Sequence, residues 1–483
     1  MDSWKNLIDG KWVEPSGGTY FENSNPAHPD QILGRFPSAS TSDVKEAIRA
    51  AANALSGWAS TPGPRRGEIL EKASRILEGK LEEMAVTLTR EEGKTLKESR
   101  GEVGRIPDIF RYFAGEGWRT AGQVLPGLTQ GESIFTLREP LGVVGIVTPW
   151  NFPALIPAWK IAPALVFGNT LVFKPASLAP QVGLLLTQVL QEAGLPDGVL
   201  NYITGSGTSV GQTLISDEEV KGISFTGSYE VGKTVSGQMN DRMKRVQCEM
   251  GGKNALVVLR DSNLDTAVAL TIRGGFGLSG QACTATSRVI VEESVADAFV
   301  AKLTAAAEMI VIGDGMDEAT TMGPLASAEQ KATVLAYVET GKGEGAKLLT
   351  GGQAGPDEGY YVLPTVFDDV DPDMRIAQEE IFGPVISVLR ARDFDHAIEL
   401  ANQIAYGLTA GIVTNRLDKA FEFANRIEVG IVKVNQATTG TAPHAPFGGF
   451  KRSSANTFKE QGQAAIEFYT RTKTVYFQYG TAH

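Results

Sequence analysis

The chain has 483 residues, more than one hydrophobic core usually serves, so at least two domains are expected. With 42% hydrophobic and 21% charged residues it reads as globular, and its net charge of −11 argues against nucleic acid or an anionic membrane surface as partner. Two cysteines, Cys248 and Cys283, are too few for a disulfide scaffold and fit a reducing compartment.

In chain order, the N-terminal segment MDSWKNLIDGKWVEP lacks the basic-then-apolar order of a secretory signal. Val44, Ala47, Ile48, Ala51, Ala52 and Leu55 recur at helical spacing behind Ser40-Thr41-Ser42-Asp43, and residues 69–88 continue a helical register. Residues 122–138 carry Gly, Pro and Thr in place of a helical stripe and read as extended. The most apolar stretch, residues 142–173, contains Pro149, Pro153, Pro157, Pro163, Asn151 and Lys160, which makes it a poor spanning helix. No membrane partner is expected, and the cytoplasm is the default location.

Strands are expected at 142–148, 170–174, 200–204, 222–226 and 255–259, with helix-like segments such as 231–239 between several of them. This is the βαβ pattern of a parallel sheet with helices on both faces. After about residue 260 the alternation resumes, with strands expected at 288–292, 385–391, 410–414 and 430–435. Two successive α/β domains are the simplest organisation. The tail, residues 466–479, is rich in β-branched and aromatic residues and, like 122–138, is expected to pair outside the two main sheets.

Several motifs carry chemistry. GSYEVGKT, residues 227–234, fits the P-loop spacing behind an expected strand, and Asp261 follows a later apolar run, so a P-loop ATPase is one reading at this point. His28, His396, His444 and His483 have no zinc-site spacing, but a lone cysteine with a distant histidine leaves a Cys–His–Asn hydrolase open. Cys283 lies in GQACTATSR, where small neighbours let a reactant approach closely, as a nucleophile requires. Cys248 reads instead as a core filler. Glu249, in EMGGK, suits either a solvated turn or a general base on a mobile loop. Asn151, in TPWNFP, is a polar insertion in an apolar run, whose amide either satisfies local backbone or donates to an oxyanion. Gly205, Gly207 and Gly211 in ITGSGTSVG, and Gly227 and Gly232 in FTGSYEVG, place two glycine loops after adjacent strands, which favours a nucleotide crevice.

The segments TPWNFP, GNTLVFKPAS, FTGSYEVG, EMGGKNA, GQACTATSR, EEIFGPV and PFGGFK follow the order of the aldehyde dehydrogenase superfamily, which the chain resembles over nearly its whole length. The resemblance implies an α/β fold with a Rossmann-type NAD(P)-binding domain (1–120 and 141–251) and an α/β catalytic domain (252–452). A small β bridging domain (121–140 and 453–483) would pair between subunits of a homodimer or homotetramer. It implies Cys283 as the nucleophile toward an aldehyde, held as thiolate, with the Asn151 amide and the Cys283 N–H on the oxyanion. Glu249 then resembles the base that hydrolyses the thioester, which favours a non-acylating enzyme over one that hands the acyl group to coenzyme A.

For the cofactor, NADP and/or NAD, the resemblance implies Thr148, Pro149, Trp150, Lys174, Ser177, Gly207, Gly211, Thr226, Gly227, Ser228, Glu380 and Phe382. Lys174, also placed among the catalytic residues, resembles the lysine on the adenosine ribose. Glu380 resembles the glutamate on the nicotinamide ribose, with Phe382 near that ring, and Gly227 and Ser228 would lie beside the pyrophosphate. Lys233 and Thr234 then complete the P-loop pattern by coincidence, and Asp261 is no Walker B partner. Ser177 stands where many NAD-preferring members carry glutamate; losing that carboxylate removes repulsion of a 2′-phosphate, so NADP is expected to be accepted.

Phe152, Trp159 and Phe447 would line the substrate funnel, and no metal is implied. The stretches TREEGKTL, IPAWKIAPAL, GNTLVFKPA and EQGQAAIEFYTRTKT look most like α-ketoglutarate semialdehyde (2,5-dioxovalerate) dehydrogenases. Trp159 stands where several succinate semialdehyde dehydrogenases carry a carboxylate-binding arginine. Residues 438–454, bordering the expected funnel, follow the group less closely. Succinate semialdehyde, or a broad range of aliphatic and aromatic aldehydes, is the alternative substrate.

Overall fold

The computed structural model describes residues 2–119, 121–454 and 458–479. Residues 455–457 and 480–483 of the expected bridging segment, His483 among them, lie outside the described residues, as do Met1 and Thr120.

The strands Arg245–Glu249, Val220–Thr226, Val143–Val147, Thr170–Lys174 and Leu200–Tyr202 lie side by side in that order and run parallel. Asn6–Ile8 and Lys11–Val13 extend this first sheet antiparallel, making seven strands. Val143–Val147 and Thr170–Lys174 are almost wholly buried, as apolar runs covered by helices on both faces must be. The strand order reverses between Val143–Val147 and Val220–Thr226, so a crevice opens beyond their carboxyl ends.

The helix Thr41–Ser60 covers one face of this sheet. It starts where the sequence signals, because Ser40 Oγ accepts from Asp43 N at 3.2 Å while the Asp43 carboxylate takes Ser40 N at 2.8 Å. The helical register expected over 69–88 is broken: Gly63–Glu78 ends at Gly79 and a new helix, Leu81–Glu92, begins after Lys80.

The second sheet runs Lys347–Thr350, Thr365–Asp368, Val385–Ala391, Thr286–Glu292, Asn254–Val258, Thr409–Val413 and Ile431–Val434. Only its first pair is antiparallel. A third sheet joins Val124–Pro126, Glu132–Pro140 and Thr470–Gln478. The extended reading of the tail needs correction at its start, because Ala464–Tyr469 is helical and buries Phe468 and Tyr469 before the strand begins. Among the described residues no helix is long and apolar enough to cross a membrane.

The carboxyl ends of the first sheet face the amino ends of the second. A bond crosses the gap, Asn151 Nδ2 donating to Gln281 O at 2.9 Å, while on the second-sheet side Gly252, just ahead of Asn254–Val258, donates its N–H to Glu380 Oε1 at 2.9 Å.

Candidate active site

Cys283 is half-buried just ahead of the strand Thr286–Glu292. Asn254, at the head of the neighbouring strand, pins this loop: its Nδ2 donates to Cys283 O at 2.8 Å and to Ala285 O at 2.9 Å, while its Oδ1 accepts from Thr409 N at 3.2 Å. Upstream, Leu278 (φ 54), Ser279 (φ 53) and Gly280 (φ 71) are consecutive left-handed residues. Each non-glycine there costs roughly 1–2 kcal/mol, so neighbours must hold the turn. They do so through Glu98 Oε1 on Leu278 N (2.7 Å), Ser279 Oγ on Gly323 O (2.7 Å) and Gln281 Oε1 on Ala326 N (3.0 Å). Burial pushes the Cys283 thiol up, and the carboxylates of Glu380, Glu249 and Glu460 push it the same way. These shifts oppose the thiolate that the resemblance implies, and the Thr284 N–H is the group that counters them.

Glu249 ends the strand Arg245–Glu249 and is 1% exposed, so the reading of a solvated turn or mobile loop does not hold. The strand pairs with Val220–Thr226, and this long-range pairing is not visible in EMGGK itself. Glu249 Oε2 accepts from Gly449 N at 3.4 Å, and Oε1 is buried with no partner among the described residues. Burial, reinforced by the charge of Glu460 and opposed by Lys160, holds the Glu249 carboxyl well above the usual range. Glu460 accepts from Trp159 Nε1 at 2.7 Å and from Lys160 Nζ, and Lys160 also donates to Ser224 Oγ at 2.8 Å. The sequence reading noted Lys160 only as a charge in an apolar stretch and did not single out Glu460; the signal for the first was that lone charge inside the helix Leu155–Val166. Cys248 is a buried core residue whose thiol is pushed up to about 12 by burial.

Asn151 is 3% exposed, and its amide faces the cysteine loop through Gln281. Its backbone O accepts from Lys94 Nζ at 2.5 Å. Lys94 is fully buried, pairs with Glu102 at 2.7 Å and lies 4.7 Å from the Phe152 ring centroid. Glu102 Oε1 in turn accepts from Ala154 N and Leu155 N, both at 3.0 Å, satisfying free N–H groups at the start of Leu155–Val166. A buried ion pair thus fixes both sides of the Asn151 turn.

The expected cofactor residues collect at the carboxyl ends of the first sheet and across the gap. Thr148 Oγ1 and Thr226 Oγ1 are buried without partners among the described residues. Lys174 is 6% exposed, with Nζ donating to Pro175 O at 3.1 Å; burial lowers it to about 8. Ser177 Oγ donates to Gly205 O at 3.3 Å, while Gly207 and Gly211 lie in the turn that follows, where an added Cβ would meet nothing. Gly227 N donates to Glu249 O at 3.1 Å, and Ser228 precedes the helix Tyr229–Asp241. Trp150, after Pro149, meets Phe382 edge-on at 5.4 Å, and Phe382 itself is left-handed (φ 57). Burial raises Glu380 to about 7. Buried hydroxyls without partners and a lysine with unused donors, set around a strand-order reversal, fit a dinucleotide with ribose hydroxyls to place.

A P-loop does not fit. The helix begins immediately after Gly227-Ser228, leaving no loop to wrap phosphates, and Lys233 and Thr234 are exposed on it. Thr234 Oγ1 donates back to Glu230 O at 3.0 Å, and Asp261 is engaged with Thr414 and Asn415 on the second sheet. Phe447 and Trp159 are buried with ring centroids 5.5 Å apart, and both touch Glu460, the first through a backbone bond of 2.7 Å.

A Rossmann-type sheet with a second α/β sheet across its carboxyl ends and a cysteine turn bordering the gap is the architecture of a nicotinamide-dependent, aldehyde-oxidising class of enzyme. The chain matches the aldehyde dehydrogenase family over residues 12–475 and belongs to it. It is 46% identical to the α-ketoglutarate semialdehyde dehydrogenase of Haloferax volcanii, covering 99% of this chain and 100% of that one. It is also 46% identical to the 2,5-dioxopentanoate dehydrogenase of Saccharolobus solfataricus, with 99% of each chain covered. Among solved structures, an NAD-dependent aldehyde dehydrogenase from Sinorhizobium meliloti superposes with a TM-score of 0.97 at 35% identity, covering 100% of this chain and 96% of that one.

Proposed function

We propose that the chain oxidises α-ketoglutarate semialdehyde to the acid with NADP or NAD, without coenzyme A. The observation that supports the chemistry is that the Asn151 amide bonds to Gln281 O in the cysteine loop, while the Glu249 carboxylate acts on the Cys283 thiol from a separate strand. Support for the substrate comes from the full-length relatives named for this aldehyde. Cys283 attacks the aldehyde carbon as thiolate, and the Asn151 amide and the Cys283 N–H stabilise the oxyanion of the thiohemiacetal. The nicotinamide, when bound, accepts the hydride. Lys174 and Glu380 would hold the two riboses, Gly227 and Ser228 would border the pyrophosphate, and Thr148, Pro149, Trp150, Thr226 and Phe382 would line the approach. The thioester left on Cys283 is then hydrolysed by water that Glu249 deprotonates through its unpartnered Oε1.

The test is the absorbance of newly reduced nicotinamide with α-ketoglutarate semialdehyde, succinate semialdehyde and a simple aliphatic aldehyde, each with NAD and with NADP. The highest kcat/KM is expected on α-ketoglutarate semialdehyde, with NADP used. Cys283→Ala should abolish turnover while retaining cofactor binding. A simple aldehyde winning would overturn the substrate reading, and turnover by Cys283→Ala would overturn the nucleophile.

A homodimer or homotetramer fits the third sheet. Its outer strand Thr470–Gln478 is mostly exposed, and Val124 (87%), Leu128 (92%) and Tyr476 (68%) present apolar surface. Two free cysteines fit a cytoplasmic location.

A further inference from the structure

The loop over residues 438–449 is moored at both ends on groups of the catalytic crevice. At one end Thr438 Oγ1 donates to Thr284 O, next to Cys283, at 2.7 Å. At the other, Gly449 N donates to Glu249, and a Cβ on Gly448 would lie 2.5 Å from Glu249 Oε1. Two cations grip the loop between these moorings. Arg105 Nη2 donates to the carbonyl of Thr441 and, at 2.6 Å, to Thr441 Oγ1; Lys433 Nζ donates to Gly440 O at 2.8 Å. Thr441 is three residues from Thr438, at most ~10 Å of chain, so both cations lie near the mouth of the Cys283 crevice.

These cations lack counter-ions. Neither makes an ion pair among the described residues, and the acidic group felt by Arg105, Glu102, is committed to Lys94 and to Ala154 and Leu155 N–H. Burial lowers the proton affinity of both groups, and Arg105 lowers that of Lys433 further. Nε and Nη1 of Arg105 have no hydrogen-bond partner among the described residues, leaving guanidinium donors for a planar anion. Both side chains are half-exposed, so a ligand can reach them. On the Trp159 side, Glu460 is committed to Trp159 Nε1 and to Lys160, so Lys160 is not free to take a substrate carboxylate. A substrate with an aldehyde at one end and a carboxylate at the other therefore finds its unpaired cations at the 438–449 loop.

We infer that Arg105, assisted by Lys433, binds the distal carboxylate of an anionic semialdehyde and so determines substrate choice at the Cys283 crevice. The inference rests on the semialdehyde reading above. A forked guanidinium suits a carboxylate better than a single ammonium, so arginine at 105 is the primary determinant.

The test compares kcat/KM for α-ketoglutarate semialdehyde with that for an unbranched uncharged aldehyde of the same carbon number, in the wild type and in Arg105→Met, Arg105→Lys and Lys433→Met. The expected result is a fall of about 30-fold or more in the anionic-to-neutral ratio for Arg105→Met, mostly through KM, with partial recovery in Arg105→Lys and a smaller fall in Lys433→Met. A ratio that stays constant in Arg105→Met, whether both rates fall or neither does, would overturn the inference. A wild type with no preference for the anion would instead sink the semialdehyde reading itself. Should Arg105→Met not fold, the wild-type ratio measured against ionic strength decides: it should fall as salt screens the cations, and a salt-independent ratio refutes the assignment.

Discussion

Glu249 and Cys283 occupy one electrostatic environment, and its sign sets the pH profile. Both groups act only when deprotonated, and both are shifted upward, Glu249 chiefly by burial and Cys283 by burial with three neighbouring carboxylates. Activity is therefore expected to rise from neutral into alkaline pH, which a kcat/KM profile with saturating cofactor would reveal; a profile that falls over that range contradicts the shared environment. Glu249→Gln should keep a first-turnover burst of reduced nicotinamide while the steady rate drops by about 10²–10⁴-fold. Rapid-mixing absorbance separates the two phases, and loss of the burst would move Glu249 to an earlier step. Gly280 is constrained differently. Its φ is 71°, and an added Cβ would lie 2.1 Å from Gly383 O, backbone that cannot swing aside. Gly280→Ala is expected to displace the Cys283 turn and remove both oxidation and thiol labelling by iodoacetamide at the wild-type rate. Ser177, bonded to Gly205 O, carries the cofactor prediction: Ser177→Glu should move the NAD-to-NADP ratio of kcat/KM toward NAD by tenfold or more.

Among the elements, the segment from Leu81–Glu92 through the helix Leu96–Val103 clamps the site from below. Lys94 holds Asn151 O, Glu102 holds the next helix, and Glu98 holds Leu278 ahead of the cysteine. Removing one partner of a fully buried pair strands the other, so Lys94→Met should cost about 3–5 kcal/mol and lower the thermal midpoint measured by differential scanning. An unchanged midpoint would mean that the pair is not a structural clamp. The elements were legible wherever a single local pattern was enough. Apolar runs marked Thr170–Lys174 and Val385–Ala391 to the residue, and Ser40 with Asp43 marked the start of Thr41–Ser60. Of the motif residues, Asn151 reaches the cysteine loop through Gln281, and the carboxylates of Glu249 and Glu380 act on the Cys283 thiol, contacts that no local rule could have gathered. Three kinds of feature escaped. Arg245–Glu249 is a strand because Val220–Thr226 pairs with it, Leu278 and Ser279 are left-handed because Glu98 and Gly323 hold them, and the Lys160–Glu460 pair joins residues far apart in sequence. Each depends on distant partners, whose effect overrides local propensity.

The whole molecule couples its outer sheet to its catalytic crevice. Arg245 opens the strand that ends at Glu249, and its guanidinium donates to Glu467 O at 2.9 Å and Phe468 O at 3.1 Å, at the base of Thr470–Gln478. Leu141 N likewise donates to Tyr469 O at 3.0 Å, tying the outer sheet to the start of Val143–Val147. An unpaired outer strand with exposed Phe477 and, across the sheet, Leu128 at 92% exposure is a surface that a second copy of the chain would cover. Leu128→Asp combined with Phe477→Lys places charges in that surface without touching the two large sheets. Light scattering behind size exclusion is expected to report a smaller species for the double variant than for the wild type. Because assembly stabilises by mass action, the wild-type thermal midpoint should also rise with protein concentration, while that of the variant should not. Equal masses for the two proteins would show that this sheet does not join subunits, and the apolar exposure of Leu128 and Phe477 would then need another partner.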